Sequence, residues 1–133
     1  MRSYRIILVD DHSLVRQGIK RILSENPNLD VIGEAADGQE ALELIEKSPP
    51  DLAILDIKMP RLNGLEAAQK LKERRPEVKV LMLTMHQEDE YLQKAREIGV
   101  EGYVLKEDID QVLLSAIEAI RSGQTFISPL IRN

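Results

Sequence analysis

Five residues with chemistry to offer stand at the ends of apolar runs. Leu52-Ala53-Ile54-Leu55 leads straight into Asp56, with Pro60 and Asn63-Gly64 just beyond. Ile6-Ile7-Leu8-Val9 stops at Asp10-Asp11, Val80-Leu81-Met82-Leu83 at Thr84, and Tyr103-Val104-Leu105 at Lys106. A short continuous apolar run bounded by turn residues marks a strand buried on both faces, as in a parallel sheet. Ligands of open parallel sheets bind beyond the carboxyl ends of the strands. With these four strands as neighbours, three carboxylates, a hydroxyl and an ammonium would share one edge.

That set suits one kind of chemistry. The loop after the first strand is Asp10-Asp11-His12, not a glycine-rich phosphate cradle, and no dinucleotide or P-loop pattern occurs in the chain. Adjacent carboxylates facing a third form an all-oxygen site for Mg²⁺ or another hard cation. Clustering alone would raise a carboxyl pKa, and a divalent cation would reverse that. With the metal present the site would attract phosphoryl oxygens, and Asp56 could act as a nucleophile that forms an acyl phosphate. Thr84 and Lys106 would then stand around the transferring group, where catalysis is positioning and charge neutralisation. Taken singly, each residue has an ordinary structural use: Asp10-Asp11 could cap a helix, Thr84 end a strand, and Lys106 face solvent. Four strand ends with matching chemistry outweigh that. His12 and His86 read as rim residues, not ligands, because no further nitrogen or sulfur ligand accompanies them, and the methionines read as filler.

The elements that must position these groups alternate along the chain. Strands are expected at Tyr4–Val9, Leu29–Ala36, Leu52–Asp56, Val78–Thr84 and Gly102–Leu105. Helical periodicity covers Ser13–Ser24, a stretch opened by Asp37-Gly38-Gln39-Glu40 and stopped at Pro49-Pro50, and one capped by Asn63 with Glu66. Glu88–Ile98 carries a narrow stripe of Tyr91, Leu92, Ala95 and Ile98, and Ile109–Ser122 has the clearest period, with Gly123 as its cap. On that last helix Leu114 falls among Asp110, Gln111 and Glu118, an outward position that would suit a partner. Five β-then-α units imply a parallel sheet with helices on both faces. Residues 124–133 show no pattern.

Composition narrows the classes further. A chain of 133 residues, 43% hydrophobic and 31% charged, suits one globular domain with a core of Leu, Ile, Val and Ala. The absence of cysteine excludes disulfides and thiolate metal sites. No secretory signal or membrane span is expected, so the cytoplasm is the expected location. A net charge of −5 argues against nucleic-acid binding by this chain alone.

The pieces VDDHSLVRQG, EAADGQEAL, LAILDIKMPRLNGLEA, VLMLTMH and GYVLK, in this order, resemble the receiver domain of bacterial two-component response regulators. The resemblance covers nearly the whole chain. VDDHSLVRQGI, LTMH and AIEAIRSGQTFISP are most similar to the subfamily with a C-terminal LuxR-type helix-turn-helix domain. It implies a flavodoxin-like doubly wound five-stranded parallel sheet of order 2-1-3-4-5 with five helices. It further implies Asp56 as phosphoacceptor, and Mg²⁺ held by Asp11, Asp56 and the carbonyl of Lys58, with Asp10 acting through the metal's water shell. Thr84 would bond the phosphoryl group, Lys106 would pair with it, and Tyr103 would be the aromatic switch residue. Glu107 departs from the pattern, since many receivers carry a proline there. The implied partners are a sensor histidine kinase, an effector domain that binds DNA, and a second copy on phosphorylation. Residues 1–123 would be the receiver and 124–133 the start of a linker, making the chain a piece of a longer protein. An aspartyl phosphatase would carry a second Asp at position 58, where Lys58 stands. A flavodoxin electron carrier would not place Asp10-Asp11 against a flavin phosphate. A receiver that works without phosphate would have lost an acidic or lysine position.

Overall fold

The chain folds by laying short apolar strands side by side and covering both faces of the sheet with amphipathic helices. A computed structural model describes residues 3–59, 61–85 and 89–129. Its elements are β1 (Tyr4–Val9), α1 (Ser13–Leu23), β2 (Leu29–Ala35), α2 (Gly38–Lys47), β3 (Leu52–Asp56) and α3 (Gly64–Arg74). β4 (Lys79–Thr84), α4 (Asp89–Ile98), β5 (Gly102–Leu105), a 3₁₀ turn (Lys106–Asp108), α5 (Ile109–Arg121) and β6 (Phe126–Ile127) follow. The expected elements differ from these by a residue or so at their ends, where helices fray and strand pairing begins. Pro60, His86 and Glu88 lie outside the described residues.

All strands pair in parallel, in the order β2-β1-β3-β4-β5-β6. The first five follow the expected 2-1-3-4-5 order; the sixth strand is an addition. Two residues are too few to show periodicity, so β6 left no signal in the sequence. The register brings the strand ends level: Val9 pairs with Leu55, Asp56 with Leu83 and Thr84 with Leu105. The chemistry-bearing residues therefore emerge together.

One core cluster joins the sheet to α2, α3 and α4, through Ile45, Leu71 and Leu92 among others. The second joins it to α1 and α5, through Leu23, Leu113 and Ile117. Each fully buried Leu or Ile stabilises the fold by about 1.5–3 kcal/mol. Leu114 does not stand outward as its acidic neighbours suggested: it is half-buried and packs against the second cluster. α5 packs against α1 and β6 as well as β5, so its apolar stripe is wider than the sheet-facing row alone.

Local chemistry starts and stops the helices. Asn63 and Glu66 form a reciprocal capping box at α3. At α2 the Asp37 carboxylate accepts from Glu40 N at 2.9 Å, while Glu40 Oε1 accepts from Ala36 N, one residue earlier than a capping box would have it. Gly123, at φ 89°, closes α5 in the left-handed conformation that glycine adopts without strain. The cap position of α1 is His12, whose side chain makes no capping bond.

Candidate functional site

The site begins with the parallel ladder, which continues past the last strand residues and holds their neighbours in place. Ile57 N donates to Leu83 O at 3.1 Å and Asp10 N to Ala35 O at 3.1 Å. Asp56 and Asp10 are consequently 4% and 1% exposed, despite their charge. Asp11 is exposed beside them. Thr84, 3% exposed, and Lys106 line one cavity of about 390 Å³ with Asp56, His12 and Lys58. A larger hollow of about 500 Å³ lies between α4 and β6, but the smaller one holds Asp56 with Thr84 and Lys106, and chemistry outranks size here.

Lys106 ties the buried pair together. Its ammonium is 2.9 Å from Asp10 Oδ2 and 3.2 Å from Asp56 Oδ2. The other oxygen of Asp10 accepts from His12 N at 2.8 Å, and its carbonyl accepts from the Arg16 guanidinium. Burial pushes the Asp56 carboxyl above the usual carboxylate range; Lys106 opposes that, and Asp10 and Asp11 add to it. Burial, rather than the clustering of like charges expected from the sequence, is the larger cause. Lys106 is raised in turn: burial lowers it, but its bonds to Asp10 and Asp56 outweigh that.

Ligand atoms of Asp10, Asp11, His12 and Asp56 all lie within 4.8 Å of one another. A mainly carboxylate donor set at that spacing fits a hard divalent cation. His12 stands at the rim as expected, 65% exposed, yet its Nδ1 is 3.0 Å from Asp11 Oδ1 and 3.3 Å from Asp10 Oδ1. That proximity comes from the turn after β1, where His12 N donates to Asp10 Oδ1, which residue types alone do not reveal.

The loop between β3 and α3 is anchored by groups that spacing alone does not reveal. Gly64 N donates to Ile57 O at 2.8 Å, and a Cβ on Gly64 would come within 2.1 Å of the Asp56 carbonyl oxygen. Gly38 N donates to Leu62 O at 3.1 Å, and Arg61 reaches across to Asp37 with Nε 3.0 Å from Oδ2. Asp37 thus caps α2 and holds Arg61, a non-glycine residue at φ 65°. The Lys58 ammonium lies over the Tyr91 ring of α4, 5.8 Å from its centroid. Tyr103 is 2% exposed, packed inward against the cluster that includes Met82 and Leu92. Asp10, Asp11, Asp56, Thr84 and Lys106 are thus brought together; Tyr103 is on the neighbouring strand. No peptide bond among the described residues is cis, the one between Lys106 and Glu107 included.

Comparison with known proteins agrees with this geometry. The response regulator receiver domain model matches residues 6–118. The transcriptional regulatory protein DegU of Brevibacillus brevis is 40% identical over 127 residues, which are 96% of this chain and 54% of DegU. Response regulator GacA of Pseudomonas aeruginosa is 38% identical over 127 residues, 96% of this chain and 59% of GacA. The chain therefore spans a little over half the length of these relatives. A LuxR-family two-component response regulator from Aurantimonas sp. SI85-9A1 superposes with a TM-score of 0.91 at 38% identity, covering 96% of this chain and 91% of that one. The isolated receiver domain of RcsB from Salmonella enterica serovar Typhimurium, solved with the phosphomimetic BeF3⁻, gives 0.89 at 26% identity, with 95% and 94% covered. Receiver domains are phosphoacceptors that bind Mg²⁺ at an acidic pocket. Strand order, acidic pocket and sequence match all point the same way: this chain belongs to the receiver domain family of two-component response regulators.

Proposed function

We propose that Asp56 accepts a phosphoryl group from a sensor histidine kinase, and also from small acyl phosphates. The observation that carries this reading is the meeting of Asp56 with Asp10, Asp11 and Lys106 at one end of the sheet. An Asp56 carboxylate oxygen would attack phosphorus while the bond to the donor breaks, leaving an acyl phosphate on the side chain. Mg²⁺, held by Asp11, Asp56 and the Lys58 carbonyl with Asp10 behind its water shell, would neutralise charge on the phosphoryl oxygens. From Lys58 the ligand would be the main-chain oxygen, because the ammonium, which lies over the Tyr91 ring, has no lone pair to give a cation. Lys106 would turn part of its interaction from Asp10 to the arriving phosphoryl group, and the Thr84 hydroxyl would bond another of its oxygens. The domain would promote its own labelling and its own hydrolysis without turning over an outside substrate.

Signalling would run through Thr84 and the inward-packed Tyr103 to the surface of α4, β5 and α5. Residues 1–123 would form the receiver. Residues 124–133 would begin the connection to an effector that binds DNA and regulates transcription, as the name of DegU supports. A second copy is a further partner; RcsB is described as dimers bound to DNA. No helix among the described residues is long and apolar enough to cross a membrane, and the reading puts the domain in the cytoplasm with the kinase's catalytic part. Intact-mass measurement after mixing with Mg²⁺ and acetyl phosphate should show one added phosphoryl group, labile in base. Equal labelling of Asp56→Asn would overturn the assignment.

A further inference from the structure

Ser128 reaches the site from behind. It is 1% exposed, and its hydroxyl is used in both directions. Oγ accepts from Leu105 N at 3.0 Å and donates to Asp108 Oδ1 at 3.1 Å. A serine hydroxyl has one proton. Because an N–H can only donate, the Leu105 bond commits that proton to Asp108. Ser128 N also donates to Tyr103 O at 2.9 Å, extending the attachment that begins where β6 pairs with β5.

Leu105 and Asp108 bracket Lys106. One side chain from the C-terminal segment therefore grips both ends of the 3₁₀ turn that carries the site's ammonium. Asp108 is 8% exposed, so the grip is shielded from water that could replace it. We propose that Ser128 is a positioning residue for Lys106, and that the Leu105–Ser128–Asp108 clamp couples the state of Asp56 to the C-terminal segment. The proposal rests on the reading of Asp56 as phosphoacceptor. A group that draws Lys106 off Asp10 loads a turn held at both ends, and thermodynamic linkage makes the effect mutual. Whatever tightens or loosens the segment around Ser128 then changes how readily the site binds a phosphoryl group.

The test uses the full chain, Mg²⁺, acetyl phosphate and beryllofluoride. Ser128→Ala should be labelled about tenfold more slowly, a loss that slight misplacement of a reacting group produces. Asp108→Ala should lose a similar factor, and the double variant no more than either single one. Asp108→Asn keeps an oxygen acceptor and should stay close to the unaltered protein. Mg²⁺ affinity by calorimetry should not fall in Ser128→Ala, because a displaced ammonium competes less with the metal, whereas general loosening of the fold would weaken it. In the unaltered protein, beryllofluoride should change Leu105 amide exchange severalfold. Should Ser128→Ala fail to fold, Asp108→Ala and the Leu105 amide carry the decision. Wild-type labelling rates in folded single variants, multiplying losses in the double variant, or a Leu105 amide indifferent to beryllofluoride would overturn the clamp. If the unaltered protein takes no phosphoryl group, the reading beneath it fails, and the clamp with it.

Discussion

Lys106 stands nearer to Asp10 than to Asp56, with its ammonium 2.9 Å from the first carboxylate and 3.2 Å from the second. The ammonium is thus shared, and it occupies the electrostatic place that a bound cation would partly take over. A residue so placed opposes metal binding and favours a phosphoryl anion. The two effects can be separated by experiment.

Lys106→Met should be labelled by acetyl phosphate more slowly, by about 10²-fold if the ammonium acts as one preorganised donor to the transition state. Its Mg²⁺ affinity, measured by calorimetry, should rise, because a competing positive charge has gone. Alkaline titration gives a further check. The folded Lys106 is raised above its usual 10.5, so its contribution to stability is full below that pH and is lost as pH climbs through the folded value. Thermal melts should therefore fall more steeply above about pH 10.5 in the unaltered protein than in Lys106→Met.

Asp56→Asn should abolish labelling and also stabilise the fold. Burial raises the Asp56 carboxyl above its usual 3.8, so holding it ionised costs stability at neutral pH. That cost disappears as pH falls through the raised folded value toward 3.8. At pH 7 the variant should melt higher than the unaltered protein. The difference should close in acid. A variant that melts lower at pH 7 would show that the bond to Lys106 outweighs desolvation.

Asp11 is the exposed member of the acid set, so its removal should leave the core intact. Asp11→Ala should weaken Mg²⁺ binding about tenfold or more while its melting temperature in EDTA stays near that of the unaltered protein. Chelation should stop labelling in both proteins. Undiminished labelling in EDTA would remove the metal from the mechanism.

Two glycines should respond oppositely to the same substitution. Gly64→Ala would set a Cβ 2.1 Å from the Asp56 carbonyl oxygen, a main-chain atom that cannot turn aside. A loss of about 3 kcal/mol or more is expected in urea denaturation, with slower labelling as the Asp56 backbone is displaced. Gly18, within α1, has nothing within 4 Å of the corresponding position, so Gly18→Ala should stabilise by roughly 0.5–1 kcal/mol.

The parts of this molecule legible in its sequence are those written as period or punctuation. Ile6–Val9 and Leu52–Leu55 announced buried strands because nothing polar interrupts them, and their terminal acids announced the site. Asn63 with Glu66 announced a helix start because the capping box has a fixed spacing. What stayed hidden depends on contact between distant segments. Arg61 reaches Asp37 across 24 residues, and Ser128 reaches Asp108 and Leu105 across 20 and 23. No spacing rule links such pairs. Leu114 misled for a related reason: its flanking acids are sequence neighbours, whereas its partial burial comes from a core cluster assembled by distant elements.

Strand β6 has a further consequence, for solubility. A strand at the border of a sheet offers unmatched amides and carbonyls to any other extended chain, and proteins blunt such borders to avoid aggregation. Gly102–Leu105 is buried along its whole length, and Phe126 and Ile127 pair with Gly102 and Tyr103 on its outer side. Shortening the chain to end at Gly123 would unpair Gly102 and Tyr103 and withdraw the Ser128 acceptor from the Leu105 amide. Such a truncated protein would keep every carboxylate of the site and still be prone to stick to its own copies.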